Sequence, residues 1–431
     1  MYPKYYKYKL DNNMQILLVP IKNINIVATS LTFDIGYFEE SKEEDGIAHF
    51  LEHMIARFIT SKTKVKDIKE AGNFIYSNAH TSDFRTSYHI YSDKKYTRDL
   101  IDSLYEIYGY KNLDKKLYKK ELGAVIVELK QIISDIDRYV FYKHIPEMIY
   151  GKNNKLVGDP KVTIENLKKI DENDLIKFVK KYYNSYNSIV TVIGDFDKNS
   201  VLKYLEKKSK NLQKQCSLNR QITIPIVKNP QYLFVKNSEK KIDSLYLNFK
   251  CDNSYNYKEK AITQLFIKIM TEFGDSSILF KRLRSKLGIV YSPQIFSQQY
   301  PLYGIITISF SIENQNIEKA LEELINILNE SKKKNLDRNL FKMSKDKSLY
   351  DIHKDMSDRD PTSFLYYTYK LLNNEVLLNP LEYYNKWTKS ITLNDIKNWC
   401  NKTFTKDNTY LCIIGKKEFT KSKIMKQLER L

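Results

Sequence analysis

The stretch IDENDLIKFVKKYYNSYNSIVTVIG (170–194) has a counterpart later in the chain, ITLNDIKNWCNKTFTKDNTYLCIIG (391–415). The two align without a gap, since 391 − 170 and 415 − 194 are both 221. Each copy reads as an amphipathic helix, a polar turn and an apolar strand ending at glycine. The openings of the two halves agree as well. MQILLVPIKNINIVATSLTFDIG (14–36) and QYLFVKNSEKKIDSLYLNFKC (231–251) each offer two strands. A shift near half of 431 residues means two copies of one domain plan. The boundary is expected in the polar KKSKNLQKQCSLNRQ (207–221), which divides the chain into an N-terminal domain (1–212), a linker (213–228) and a C-terminal homologous domain (229–431). Strands come as neighbours with helices between them and no strict βαβ alternation. The expected class is therefore α+β, each domain a mostly antiparallel sheet with helices on one face.

Composition narrows the function. The net charge is +19, from 71 Lys+Arg against 52 Asp+Glu. The lysines are spread among acidic residues, in the pattern of AT-rich codon usage. No basic tail or nucleic-acid motif accompanies them, so no nucleic-acid partner is expected. No run of 18 or more apolar residues occurs, so no membrane span is expected. The N-terminal MYPKYYKYKLDNN has no apolar core, unlike a secretory signal. Cys216, Cys251, Cys400 and Cys412 form no CxxC pair, which fits a reducing cytoplasm.

Chemistry concentrates in GIAHFLEHMIARF (46–58), where two of six histidines stand four apart. On a helix, His49 and His53 share a face and Glu52 sits beside them. In so histidine-poor a chain, HxxEH arises by chance in roughly one such sequence in two hundred. Zinc needs a third protein ligand and, for catalysis, an open fourth place. ELGAVIVELKQIISDI (121–136) carries a regular helical stripe on which Glu121 and Glu128 fall beside Val125 and Ile132. Carboxylates on a buried face call for a positive centre. A helix edge where both reach water is the alternative, and the two unpartnered histidines favour the metal. His80 is set aside as a rival ligand because it lies off the helix.

HxxEH inverts the HExxH zinc motif. DGIAHFLEHMIARF, followed 75 residues after His53 by the Glu128 of ELGAVIVELKQI (128 − 53), resembles the insulinase/pitrilysin family of zinc peptidases. YKYKLDNNMQILLVP, GNFIYSNAHTS and LFKRLRSKLGIVYS extend the resemblance over nearly the whole chain. Its size is similar to the short two-domain branch that includes mitochondrial processing peptidase and its bacterial relatives.

The resemblance implies one Zn2+ per chain on His49, His53 and Glu128, with Glu52 as general base and Glu121 as a supporting catalytic carboxylate. It implies that Asn78 and Ala79 lie on an edge strand to which an extended peptide adds. It also implies that Arg284 and Tyr291 contact the substrate and the developing oxyanion. Bottom-up, these two are a surface arginine and a buried strand tyrosine, after a basic helix that stops at Gly288. The second half has no zinc site of its own, since no histidine falls between His144 and His353. The resemblance further implies that a chain this short pairs with a second subunit, as a homodimer or with a related chain. The expected function is a cytoplasmic zinc endopeptidase acting on short unfolded or precursor peptides, in peptide clearance or maturation of a ribosomally made peptide. The alternative is a catalytically inactive structural subunit. Two departures stand out: IARFITSKT lacks the glycine that often follows the motif in relatives, and the loop GYFEESKEEDG is looser than usual.

Overall fold

A computed structural model describes residues 3–111, 115–212, 218, 220, 221, 223–225, 229–333, 336–358 and 379–431. The chain forms two compact units. Of the described residues, the first unit takes those within 3–134, 158–220 and 355–358, and the second those within 135–157, 221–354 and 379–431. Of the linker expected at 213–228, residues 213–217, 219, 222 and 226–228 lie outside the described residues.

Among the described residues the first unit has six strands: β1 (Tyr6–Lys9), β2 (Gln15–Pro20), β3 (Ile26–Phe33), β4 (Ile75–Thr81), β5 (Thr86–Asp93) and β6 (Ser188–Gly194). Their order is β1-β2-β6-β3-β5-β4, and only β2 and β6 run parallel. Its main helices are α1 (Ile47–Lys62), α2 (Thr97–Tyr105), α3 (Lys115–Ser134) and α4 (Glu172–Tyr182). The second unit has β7 (Gln231–Lys236), β8 (Asp243–Cys251), β9 (Gln294–Gln299), β10 (Gly304–Ile312) and β11 (Tyr410–Gly415). Their order is β7-β11-β8-β10-β9, again with one parallel pair, β7 and β11. Its main helices are α5 (Tyr257–Thr271), α6 (Ile317–Lys333) and α7 (Leu393–Thr403).

The two sheets correspond strand for strand, with β1 added to the first. Local chemistry explains why the repeat folds alike twice. α4 and α7 are displaced by 221 at both ends (393 − 172 and 403 − 182). Each opens on a reciprocal cap, Asp171 with Asp174 and Thr392 with Asp395. In each, side chain and backbone satisfy one another's orphan N–H groups. β6 and β11, flanked on both sides within their sheets, are buried along their whole length.

In the first unit, Ile47, Phe50, Leu51, Met54 and Ile55 of α1 pack with Leu31, Phe33, Val190 and Val192 of the sheet. Each such side chain removed from water contributes about 1.5–3 kcal/mol, so α1 is held firmly by its apolar face. Leu265, Phe266 and Ile269 of α5 do the same with Leu324 and Trp399. Residues 135–157 follow α3 in sequence but pack within the second unit. There Asp137 accepts hydrogen bonds from Lys240 and, at 2.8 Å, from the Tyr246 hydroxyl, and the Tyr150 ring meets Tyr303 edge-on at 5.2 Å. No helix among the described residues is long and apolar enough to cross a membrane.

Candidate metal centre

The site begins with how α1 starts. Gly46 adopts φ 94°, and a Cβ there would stand 2.5 Å from the Thr163 methyl, so glycine is required on both counts. Glu40, buried in the preceding loop, spans the helix entrance. Its Oε2 accepts the Gly46 N–H at 2.8 Å and its Oε1 the Ala48 N–H at 2.7 Å. Burial pushes the Glu40 carboxyl well above the usual range, and the two N–H donors act against that push. The loop that reads as loose in sequence thus carries a buried cap for the helix holding His49.

One turn apart on α1, the imidazoles of His49 and His53 lie edge to face, 4.8 Å between centroids. Both Nε2 atoms stand 3.7 Å from Glu128 Oε2 on α3. One donor atom from each of His49, His53 and Glu128 lies within 4.8 Å of the others. Burial first, then the charge of His53, drives His49 down to about 4, against a smaller opposing pull from Glu128. At neutral pH His49 is therefore the neutral imidazole that binds metals. Two imidazoles and a carboxylate around one point match a three-ligand zinc site with an open fourth place.

Seven residues before Glu128, Glu121 faces the same side of α3 but is differently placed. Its side chain is 4% exposed, whereas that of Glu128 is 47% exposed. The expectation that both sit on a buried face is corrected here: the stripe of α3 buries Glu121, Val125 and Leu129 and leaves Glu128 at its margin. Glu121 Oε2 lies 3.5 Å from His53 Nδ1, and its Oε1 accepts the Arg57 Nε–H at 3.0 Å. Glu52 is buried on α1 and its Oε2 accepts the Thr81 hydroxyl at 3.0 Å. Burial, reinforced by the charge of Glu128 and opposed by Thr81, raises its pKa to about 7.

A cleft of about 220 Å³ opens beside these groups. Glu52, His53, Arg57 and Glu121 bound it on the helix side, and Ser77, Asn78 and Ala79 bound it on β4. β4 is the edge of its sheet and pairs only with β5 among the described residues. Asn78 and Ala79 therefore stand where a further strand could add. His80, opposite Ser87, is not in the donor cluster.

Arg284 and Tyr291 belong to the second unit, where the guanidinium lies 4.8 Å from the tyrosine ring. Tyr291 is 79% exposed, which overturns the reading of a buried strand residue. The helical turn Phe280–Lys286 ends near Gly288 at φ 66°, and β9 starts only at Gln294. Pro293, lacking an N–H for a ladder, lies between Tyr291 and the strand. Sequence reasoning missed Arg57, Thr81 and Glu40. Arg57 stands four residues after His53, so helical spacing alone could have flagged it. The other two reach the site only through the tertiary fold.

Two family models match the chain: Insulinase (Peptidase family M16) over residues 16–156, and Peptidase M16 inactive domain over residues 169–348. A protein named "Uncharacterized zinc protease" from Rickettsia felis is 25% identical over 319 residues, 73% of this chain and 75% of that protein. Mitochondrial-processing peptidase subunit beta of Saccharomyces cerevisiae is 26% identical over 202 residues, 46% of this chain and 43% of its own. The crystal structure of a protease from Helicobacter pylori is similar with a TM-score of 0.82 at 19% identity, covering 96% of this chain and 100% of that one. That last likeness speaks for the fold alone. The relatives point to a protease that uses zinc.

Proposed function

The chain belongs to the insulinase family, peptidase family M16, and we propose that it is a zinc-dependent endopeptidase for short unfolded or precursor peptides. The observation that carries this reading is the donor cluster of His49, His53 and Glu128, with Glu52 lining the same cleft as His53. These three residues would hold one zinc per chain. When bound, zinc supplies a Lewis acid that polarises a carbonyl and acidifies water.

The chain's own groups do the rest. Glu52 takes the proton of the attacking water and returns it to the leaving amine. A carboxyl raised to about 7 suits both transfers near neutral pH. Glu121, itself engaged by Arg57, stands 3.5 Å from His53 Nδ1, where a carboxylate holds Nε2 toward the donor cluster. A peptide adds to β4 at Asn78 and Ala79. Arg284 and Tyr291 donate to the substrate and its oxyanion. We read the chain as working in the cytoplasm with a second subunit, a copy or a relative. The unpaired Cys251, Cys400 and Cys412 suit that compartment. The complete donor set disfavours an inactive structural subunit.

Elemental analysis should give one zinc per chain, abolished by His49→Ala. Glu52→Gln should retain zinc yet lose peptide hydrolysis by at least about a hundredfold. Zinc retained in His49→Ala, or near-normal turnover by Glu52→Gln, would overturn this assignment.

A further inference from the structure

We propose that Arg57 makes this cleft selective for an acidic side chain on the substrate residue beside the scissile bond. The inference rests on the peptidase reading and adds a substrate class to it. Arg57 follows His53 by one helical turn on α1 and lines the cleft with Glu52 and Ala79. Its Nε–H is donated to Glu121 at 3.0 Å. Its Nη1 and Nη2 make no hydrogen bond among the described residues, and the side chain is 56% exposed. Four N–H donors of a planar fork therefore remain open beside the proposed centre.

On the helix side the cleft's other polar groups are largely committed, and β4 adds only the uncharged Ser77 and Asn78. Glu121 Oε1 accepts from Arg57, and its Oε2 lies 3.5 Å from His53 Nδ1. Glu52 Oε2 accepts from Thr81. The Thr60 hydroxyl donates back to the Ala56 and Arg57 carbonyls. Donors in surplus ask for an acceptor, and a carboxylate matches a guanidinium edge in a bidentate way. The charge balance agrees: a divalent ion and Arg57 together offset Glu52, Glu121 and Glu128, so an incoming anion meets no net repulsion. A substrate lysine or arginine would instead find only donors and like charge at that guanidinium edge.

The test uses peptides sharing one cleavable sequence, with Glu, Gln, Leu or Lys placed on either side of the bond. Cleavage by the zinc-loaded protein is followed by mass spectrometry. At one of the two positions kcat/KM should favour Glu over Gln by about tenfold or more, the scale of a charge-assisted hydrogen bond. Arg57→Met should bring that ratio close to one, and Arg57→Glu should turn it toward Lys. If Arg57 only steadies Glu121, both variants slow all peptides alike and leave the ratio unchanged, which would sink the proposal. So would a wild-type protein that cuts Glu and Gln peptides equally.

A binding arm separates this inference from its premise. Zinc-loaded Glu52→Gln protein should bind the Glu peptide about tenfold more tightly than the Gln peptide by fluorescence polarisation, and Glu52→Gln/Arg57→Met should not. Charge-selective binding without any cleavage by the wild type would refute the peptidase reading and uphold Arg57. Cleavage without selectivity would do the reverse.

Discussion

Replacing Glu40 by glutamine tests how α1 is anchored. The carboxylate accepts two backbone N–H groups, from Gly46 at 2.8 Å and from Ala48 at 2.7 Å, in a site where Glu40 is 6% exposed. Glutamine keeps one acceptor oxygen and presents an NH₂ to the other donor. One hydrogen bond is thus lost and one buried N–H is left facing a second donor, a loss of about 3 kcal/mol. In a unit of this size each kcal/mol moves Tm by about 2–4 °C, so Glu40→Gln should melt about 6–12 °C lower. His49 follows Ala48 directly, so zinc should also be held more weakly by the variant. Calorimetry and a competitive zinc titration read the two effects. Glu43→Gln, at an exposed position of the same loop, is the control and should stay within about 0.5 kcal/mol of wild type. If Glu40→Gln melts with the control and binds zinc equally well, the carboxylate does not secure the helix entrance.

Stability of the metal-free protein should depend on Glu52 in a defined pH window. Its folded pKa is raised from 4.5 to about 7, so the folded state binds the extra proton and its stabilisation is full below the unfolded value. That stabilisation, about 3 kcal/mol, is lost as pH rises through 7. Denaturant unfolding in chelator should show wild type losing this amount relative to Glu52→Gln between about pH 4 and about pH 8; parallel curves would contradict it. If two chains share active sites reciprocally, mixing Glu52→Gln with Tyr291→Phe should restore about a quarter of wild-type activity. Subunits that demonstrably exchange without recovering activity would mean that Tyr291 acts within its own chain or not at all.

Local signals made much of this protein legible in its sequence. The duplicated helix–turn–strand was readable because caps and periodicity lie within a few residues of one another, and α4 and α7 keep the shift of 221 at both ends. His49, Glu52 and His53 were readable because one helix turn brings them together whatever else the chain does. Glu128 was legible as a position on α3, but not as a half-exposed one, because periodicity says which way a side chain points and not what covers it. The exposure of Tyr291 depended on where β9 begins, after Pro293. Thr81 on Glu52 spans 29 residues, and Asp137 on Tyr246 spans 109. Such contacts form only when sheets close over long loops, so no local pattern records them. For the same reason, it took the tertiary structure to bring Thr81 to the proposed general base and to assign residues 135–157 to the second unit.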